Sequence, residues 1–443
     1  MKTKRFLTSI LIASAALLAP MRATAATPTA TGVIVRTVNI TPVKLLCADL
    51  KLCVVTQVLD GAENQLFLVQ VPLPINPTIV VDILRVVPGV IDVEVDQTLN
   101  LLATGRSTNG AIPLALFKYQ PTNYYGAQVS EGYVNQQAST LIQLPAAQKM
   151  SGRLGSGIIA DIDTGVDPTH PALKAALLPG YDFTRKQVGG NELLDLNGKT
   201  GNSCAECQPA SVNQYTAAMV DHYTAAMVDG SGYSAFGHGT EVAGVLHLVA
   251  PDAKLMPLKA FGPDGSGSLS NVLAAIYYGV NNKANVINMS FDFTSPSAEL
   301  KTALSYAVSH NVICVASAGN NGADELVYPA AYQQYVIGVG STSDNNTRST
   351  FSNYGDSVVW LAAPGEAVVT TYPFDSYAAV WGTSFSSPLV AGTADLLPML
   401  PVGTHQSQAQ TALKRTTALP SQLQLGYGEL NVEKALGLGV LVK

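Results

Sequence analysis

The stretch that decides the fold is Gly157-Ile158-Ile159-Ala160-Asp161-Ile162-Asp163, an apolar run that ends in a carboxylate and is followed by a Thr164-Gly165 turn. Such a run is typical of a buried strand. Further strand candidates, several of them separated by helical stretches, are Lys254 to Leu258, Val286 to Met289, Val312 to Ala316 and Val336 to Val339. This alternation predicts an α/β fold with a doubly wound, mostly parallel sheet between helical layers. Ligand sites in such sheets form at the carboxyl ends of the strands.

The beginning of the chain has the pattern of an export signal. Basic residues precede an apolar run from Phe6 to about Leu18, and the small-residue pattern Ala23-Thr24-Ala25 follows. This predicts a signal peptide over residues 1–25 and a secreted protein, extracellular or periplasmic. The apolar run is shorter than the roughly 20 residues of a membrane-spanning helix, so we expect no membrane association after the signal is removed.

Composition excludes two classes of protein. The 443 residues are 47% hydrophobic and only 13% charged, which argues against a disordered chain. The formal charge of −6 leaves no basic surface for nucleic acid, and we expect none as a partner. The chain is long enough for one large domain with accessory segments.

Five cysteines are too few for a disulfide scaffold. In an exported protein the closely spaced pairs Cys47/Cys53 and Cys204/Cys207 can oxidise. A redox pair or half of a zinc site at Cys204/Cys207 lacks the strand context or the second ligand pair that those sites need, so a local disulfide or two free thiols is favoured there. Cys314 lies in an apolar run and is expected to be buried and inert.

Three segments lie outside the alternating pattern. Residues 26–102 contain β-rich runs separated by turn residues, as in a small α+β module. Residues 103–156 are polar and weakly periodic, which predicts a connection along the surface. Residues 185–234 interrupt the alternation and contain a tandem repeat of eight residues. Two copies are too few for a solenoid, so we expect an inserted surface excursion.

Four polar residues stand where a serine mechanism needs them. Hydrolysis of a peptide by a serine requires a nucleophile, a base, an acid that orients the base, and donors for the oxyanion. Asp163 ends a strand, His238 and Ser384 each open a helical stretch, and Asn320 follows a buried strand. Each residue alone has an ordinary interpretation as a turn or N-cap residue, but their combination is far more specific.

The segments around these residues resemble the subtilisin-like serine peptidases, in which acid, histidine and serine occur in this order. The resemblance runs from about Gly157 to Leu436 and includes Gly237 to Gly244 and Gly382 to Gly392. It implies the subtilisin-like three-layer fold and a secreted endopeptidase that cuts protein or peptide substrates through an acyl-enzyme.

The resemblance also implies a role for each residue. Asp163 would orient His238, which would act as general base and then as general acid. Ser384 would attack the scissile carbonyl, and Asn320 with the Ser384 backbone N–H would bind the oxyanion.

The same resemblance identifies two walls of a substrate cleft. Extended substrate would pair as an added strand with Gly265, Ser266 and Gly267. The opposite wall of the primary specificity pocket would be formed by Ser290, Phe291 and Asp292, followed by Phe293. The family usually has Ser-Leu-Gly-Gly there, so we expect a narrower or more acidic pocket.

The end of the first unit, from Gly89 to Asp96, resembles the end of the family's inhibitory propeptide. By that resemblance residues 26–102 form an intramolecular inhibitor, the precursor cuts itself near Leu102, and residues 103–443 form the peptidase domain. The alternative is that the first unit is a free-standing module.

Two family features are missing from the sequence. Members commonly bind calcium through an acid in a His-Pro-Asp-Leu pattern and through a loop in the helix after the histidine. The matching segments here are His170-Pro171-Ala172-Leu173 and an uninterrupted Val242 to Ala250, so we expect no calcium at that site, no other metal and no cofactor. Phe385 replaces a readily oxidised methionine next to the serine, which predicts tolerance to peroxide.

Two other functions compete with this interpretation. An α/β-hydrolase esterase would need Gly-x-Ser-x-Gly and the order serine, acid, histidine, and the sequence has neither. A catalytically silent peptide-binding protein of the same fold, with its cleft blocked by the 185–234 segment, is the remaining alternative.

Overall fold

The computed structural model describes residues 32–101, 113–118, 120–152, 154–196, 234–397 and 405–437, together with the backbone of 216–219. The predicted signal peptide, Leu102 and the Cys204/Cys207 pair lie outside these residues. Among the helices that are described, none has the length and apolar character needed to cross a membrane.

The strands in the described part of the chain share one numbering. They are β1 Gly32–Thr37, β2 Val54–Val58, β3 Leu66–Gln70, β4 Val90–Val95, β5 Thr98–Asn100, β6 Pro121–Tyr124, β7 Ala127–Ser130, β8 Ile158–Asp163, β9 Tyr181–Asp182, β10 Gln187–Val188, β11 Thr216–Met219, β12 Lys254–Lys259, β13 Ser266–Ser268, β14 Val286–Met289, β15 Ile313–Ser317, β16 Ile337–Thr342, β17 Leu361–Pro364, β18 Val368–Tyr372 and β19 Ser376–Val380.

The α-helices are numbered in the same way. They are α1 Thr41–Leu50, α2 Pro77–Arg85, α3 Glu131–Val134, α4 Gln137–Leu141, α5 Leu144–Ser151, α6 His238–Val249, α7 Leu269–Asn281, α8 Ala298–Ser309, α9 Thr383–Leu396, α10 His405–Leu413 and α11 Val432–Ala435.

The central sheet has eight strands in the order β10-β9-β12-β8-β14-β15-β16-β17. All neighbouring strands from β9 to β17 pair in parallel, and β10 pairs antiparallel with β9 at one edge. The strand candidates from the sequence correspond to β8, β12, β14, β15 and β16; the bounds of β14 agree, and the ends of the others differ by up to three residues. The predicted α/β fold class is confirmed.

Helices cover both faces of this sheet. Ile159, Val286 and Val315 point to one face and pack with α6 and α9 in a single apolar cluster. Ala160 and Ile287, their neighbours along the strands, point to the other face and pack with α7 and α8. Because both faces are buried, these strands carry apolar residues on both faces instead of alternating apolar with exposed polar residues.

The first unit is a smaller, antiparallel sheet in the order β2-β3-β1-β4. Val33 and Val35 of β1 pack with α1 and α2 on one face. Ile34, between them, belongs to the apolar cluster that includes α7 and α8 of the large domain. A disulfide joins Cys47 to Cys53, one of the two pairs that the sequence predicted.

The connection after the first unit differs from the prediction for residues 103–156. Its described part folds into the β6-β7 hairpin and helices α3, α4 and α5, and Tyr133 is fully buried. The Tyr133 and Tyr124 hydroxyls donate to the carbonyl oxygens of Gly244 and Leu248 in α6, both at 2.6 Å. Polar composition suggested a surface segment, but tyrosine rings can be buried when their hydroxyls find acceptors.

The 185–234 segment also contributes to the core at its start. Gln187 and Val188 form β10 at the sheet edge, and a short 3₁₀ helix follows over Glu192–Leu196. Glu192 is fully buried, whereas the sequence predicted that this segment lies on the surface. Of the later part, only the β11 backbone is described, and it pairs with β19.

Candidate active site

Asp163 and His238 form a buried hydrogen-bonded pair. Asp163 is the last residue of β8, and His238 is the first residue of α6. The His238 Nδ1 lies 2.8 Å from Oδ1 and 2.9 Å from Oδ2 of Asp163. Burial is the largest influence on the imidazole and lowers its pKa, but the Asp163 carboxylate, with Glu241 and Asp161, raises the pKa of His238 to about 8 overall. The pair therefore favours the imidazolium and leaves Nε2 as the exchangeable nitrogen.

Glycines allow the two backbones that carry this pair to touch. A Cβ on Gly239, the residue after His238, would collide with the carbonyl oxygen of Gly165 in the turn after Asp163. Gly237 before His238 has φ +92°, a left-handed conformation that favours glycine. The Gly-His-Gly sequence is thus required by local geometry as well as by chemistry.

Ser384 is the second residue of α9 and lies beside this pair. The His238 ring packs against Phe385, the next residue, with 5.5 Å between ring centroids. The Ser384 Oγ donates to the Ser290 carbonyl at 3.1 Å, and within the described residues no hydrogen bond joins it to His238. Catalytic hydrogen bonds are often long or misaligned before substrate binds, so this geometry is compatible with a nucleophile.

The side-chain amide nitrogen of Asn320 points toward the start of α9, where Ser384 lies. Asn320 follows Gly319, which has φ +94°, at the carboxyl end of β15. Its Oδ1 accepts from the backbone N–H and the hydroxyl of Thr383, at 2.8 and 2.9 Å. A Cβ on Gly382 would be 3.7 Å from Asn320 Nδ2. The amide N–H groups therefore face the Gly382–Ser384 turn and can donate to a developing oxyanion.

A buried polar chain that the sequence analysis missed lies beneath these residues. Asn288 Nδ2 donates to Asp161 Oδ1 and to Ser290 Oγ, both at 2.9 Å, and Ser387 Oγ donates to Asn288 Oδ1 at 2.8 Å. Burial, followed by the charge of Asp163, raises the pKa of Asp161 well above its usual range. The period of a strand was the available signal, because residues 161 and 163 must share a face.

The first predicted wall of the substrate cleft is already paired with a strand. Thr98–Asn100 runs antiparallel to Ser266–Ser268, and the Leu101 N–H donates to the Gly265 carbonyl at 2.8 Å. A Cβ on Gly267 would lie 2.6 Å from the Phe261 ring, so this wall has no room for a side chain there. The end of the first unit occupies the edge that the sequence analysis assigned to substrate.

The opposite predicted wall is buried, and one of its residues is acidic. Ser290 is buried, and its Oγ donates to the Ser384 carbonyl at 2.8 Å. The Phe291 ring is buried against Phe261, 5.0 Å between centroids. A Cβ on Gly319 would lie 3.2 Å from Asp292 Oδ2, so this carboxylate stands across from the residue before Asn320. Asp292 therefore places a carboxyl group next to the residue that precedes Asn320.

The two segments of the family's calcium site have other contacts here. His170 Nε2 lies 3.1 Å from the Ser376 carbonyl oxygen, and the Ala172 N–H donates to His170 Nδ1 at 3.2 Å. Helix α6 continues without a loop to Val249. In the part of the chain that the structure describes, no three or more His, Cys, Asp or Glu residues are grouped as metal ligands.

Cys314 is fully buried, as predicted, and burial raises its pKa to about 12.

Comparison with known proteins agrees with this geometry. Residues 156–439 match the model of the subtilase family, Peptidase_S8. The chain is 34% identical to Subtilisin BL from Lederbergia lenta, over 66% of this chain and 96% of that protein. It is 34% identical to Thermitase from Thermoactinomyces vulgaris, over 62% and 85%, and 35% identical to an alkaline protease from Alkalihalobacillus alcalophilus, over 66% and 68%. With the predicted sheet and these relatives, the chain belongs to the subtilase family and is a serine endopeptidase.

Proposed function

We propose that this endopeptidase uses Asp163, His238, Ser384 and Asn320 in the roles expected from the sequence, and that it is made as a secreted, self-processing precursor. The observation that carries the catalytic assignment is the buried Asp163–His238 pair beside Ser384 at the start of α9. Its substrates are proteins, which follows from the family.

The proposed mechanism follows from the hydrogen bonds of His238. Because Nδ1–H is bonded to Asp163, the imidazolium loses its proton from Nε2 as pH rises through about 8, and the Nε2 lone pair then takes the proton of Ser384 as Oγ attacks the scissile carbonyl. The tetrahedral oxyanion accepts from Asn320 Nδ2 and from the Ser384 backbone N–H. His238 then gives the proton to the leaving amine, and water hydrolyses the acyl-enzyme by the same steps in reverse order.

A fluorophosphonate tests the nucleophile directly. The purified, processed protein is treated with the probe, and the modified residue is mapped by peptide mass spectrometry. We expect label on Ser384 in the wild type. With the first unit removed by a second protease, Ser384→Ala should take no label and His238→Ala little. A processed protein that takes no label would favour the catalytically silent peptide-binding alternative.

The contacts of the first unit support its assignment as an inhibitor. Its strand β5 fills the substrate edge, and its carboxylates bind two helix N-termini of the domain. Asp96 accepts from the backbone N–H and hydroxyl of Ser270 at 2.8 and 2.7 Å. Glu94 accepts from the Ser297 hydroxyl at 2.5 Å and from the Ala298 N–H at 3.3 Å. Negative charge is favourable at a helix N-terminus, so these contacts hold the unit over the cleft.

Self-processing is tested with a precursor that cannot cut. We expect the wild-type precursor without its signal peptide to convert to two chains near Leu102, with the Ser384→Ala precursor staying intact. Normal cutting of Ser384→Ala in a pure sample would show that another protease separates the units.

Export is supported by the N-terminal pattern and by the Cys47–Cys53 disulfide, since such bonds persist in oxidising compartments. Expression of the full Ser384→Ala chain tests it. We expect precursor in the medium or periplasm with Ala26 as its first residue, and retention of the full chain in the cytoplasm would contradict export.

We also propose that the family's calcium site is absent, because Ala172 stands where the acid is expected and α6 has no loop. Purified enzyme heated with and without a strong chelator should show the same melting temperature within about 2 °C. A drop of many degrees would mean that calcium binds the chain after all.

A further inference from the structure

The helix that carries His238 lacks a cap of its own. Helix α6 begins after Gly237, its N-cap residue. A glycine has no side chain that could accept a hydrogen bond from the first turn. The first N–H groups of a helix need acceptors, which usually come from an N-cap Ser, Thr, Asp or Asn. Here the Gly239 N–H of the first turn donates to the Thr164 hydroxyl at 2.9 Å, a group from the turn after Asp163.

Glu192 binds the residues on either side of this turn with both of its carboxyl oxygens. Oε2 accepts from the Gly237 N–H at 2.9 Å, and Oε1 accepts from the Thr240 hydroxyl in a short hydrogen bond. His238 lies between these two donors in sequence. The carboxyl group therefore binds the turn on both sides of the histidine, at the N-terminal end of α6.

The same carboxylate reaches the turn after Asp163. The Thr164 hydroxyl donates to Glu192 Oε2 at 3.4 Å and accepts from the Gly239 N–H at 2.9 Å. The Thr164 N–H donates to Asp163 Oδ1 at 2.6 Å. One side chain thus connects the two backbones whose separation sets the Asp163–His238 hydrogen bond.

The surroundings keep Glu192 fixed. It is fully buried, and burial, more than any other influence, raises its pKa; the Thr240 and Gly237 hydrogen bonds and the charge of Lys259 lower it, and Asp195 raises it. Lys259 is also fully buried, and its Nζ binds the Thr164 carbonyl, the Phe261 carbonyl and Asp195 at 2.7 to 2.8 Å. A group bonded and packed in this way has one position available.

We propose that Glu192 is a positioning residue for His238, acting through its hydrogen bonds to Gly237, Thr240 and Thr164. This inference rests on the proposed catalytic role of His238. It gives the start of the 185–234 segment a part in catalysis, although no atom of Glu192 needs to touch substrate. A displacement of about 1 Å at a catalytic group can lower a rate by about 100-fold.

The test compares two buried glutamates. Glu429 is buried and accepts from the Thr342 hydroxyl at 2.6 Å, so Glu429→Leu removes a similar interaction away from α6. In processed enzyme titrated for active sites, we expect Glu192→Leu to lower kcat about 10- to 100-fold with KM within threefold of wild type. Glu429→Leu should lower the melting temperature but keep kcat within threefold.

Two further variants separate hydrogen-bond geometry from charge. Glu192→Gln keeps the length and one carbonyl oxygen, and we expect it to hold kcat within about fivefold of wild type. Glu192→Asp keeps the charge but withdraws the carboxylate by one methylene, and we expect a kcat loss close to that of Glu192→Leu. If Glu192→Leu does not fold, these two variants decide, and a fully active Glu192→Asp would overturn the proposal.

A readout without substrate makes the two hypotheses separable. The downfield proton resonance of His238 Nδ1–H reports the hydrogen bond to Asp163. It should shift or broaden in Glu192→Leu and Glu192→Asp but not in Glu429→Leu. The catalytic proposal alone would be contradicted if the processed wild type took no fluorophosphonate label and had no activity, while the variants showed the expected shifts of this resonance. The positioning role alone would be contradicted if Glu192→Asp left both the His238 Nδ1–H resonance and kcat unchanged.

Discussion

The two sheets of this molecule are buried in different ways. The eight-stranded sheet has α6 and α9 on one face and α7 and α8 on the other, all from its own domain. The four-stranded sheet of the first unit has its own helices, α1 and α2, on one face only. Its second face contributes Ile34 and Leu66 to the cluster around α7 and α8. The domain completes its own core, whereas the first unit needs the domain to complete its core.

This difference is what the proposed role of the first unit as a removable inhibitor would require. A unit of about 75 residues with one open apolar face has little stability to spare once it is detached. We therefore expect the first unit to be firmly folded on the domain and weakly folded alone.

The largest effect is expected at the ion pair between the two units. Arg36 lies 2.6 Å from Glu299 and also donates to the Tyr277 hydroxyl at 3.0 Å. Arg36→Ala leaves Glu299 buried without this cation, which costs about 4 kcal/mol for such a pair. When the first unit is added as a separate chain, its inhibition constant should rise on the order of 1,000-fold.

The matched control is the exposed pair Arg85–Asp82, whose side chains are 60% and 70% exposed. Arg85→Ala should leave the inhibition constant unchanged within about threefold, because exposed pairs contribute little. Equal losses in both variants would mean that net charge, and not the buried contact, holds the unit.

A smaller effect is expected on the stability of the domain at acidic pH, through a histidine in its core. Burial, with a further contribution from His170, lowers the pKa of His247 to about 4. The unfolded chain therefore takes up a proton below about pH 6.5 that the folded chain does not, and stability falls as pH drops toward 4. His247→Leu should remove about 2.5 kcal/mol of this loss, measured as the difference between the free energies of urea unfolding of the domain at pH 7 and pH 4.5.

Two observations frame the control for that experiment. Neither nitrogen of His247 has a hydrogen-bond partner in the described structure, whereas His310 is exposed. His310→Gln should therefore keep the wild-type dependence on pH. The first unit contains no histidine, so its own unfolding should lack this acid step. An unaltered pH dependence in His247→Leu would show that other groups cause the acid loss.

The disulfide gives a still smaller effect, confined to the first unit. Cys47 and Cys53 are six residues apart, and closing so short a loop stabilises by about 2 kcal/mol. In the Ser384→Ala precursor, the Cys47→Ser/Cys53→Ser change should destabilise the unfolding step of the first unit by that amount. Reductant should lower the same step in the parent but have no further effect in the double variant.

The smallest structural change concerns peroxide. Phe385 is buried against His238, and Phe385→Met should alter stability by less than about 1.5 kcal/mol. We expect the variant to lose activity in mild peroxide much faster than wild type, because a sulfoxide beside Ser384 is polar and bulky. Phe351→Met, a similar change elsewhere in the core, should keep the wild-type tolerance; rapid loss in wild type itself would refute the prediction.

Much of the fold was predictable because its signals are local. The apolar runs of β8, β12, β14, β15 and β16 and the helical stretches between them follow from burial of a parallel sheet. Asp163, His238, Asn320 and Ser384 were identifiable because each stands at an element end with small neighbours. The structure brings all four to the carboxyl edge of the sheet, and their catalytic roles stay proposals.

The supporting residues were not predictable, because their roles depend on contacts between distant segments. Glu192 lies in a stretch without periodicity, and only the fold shows that its carboxylate meets Gly237. Tyr133 lies in a polar connection, and its burial depends on the Gly244 carbonyl more than 100 residues away. Asp161 was the exception, since strand period alone places it beside Asp163.

The pairing of Thr98–Asn100 with Ser266–Ser268 has a consequence for the newly made chain. An open strand edge is a place where separate molecules add to one another and aggregate. In the precursor this edge is covered from within by a segment of the same chain. Under the proposed self-processing, the segment that would block substrate would also protect the folding protein against association with its neighbours, until cutting exposed the edge.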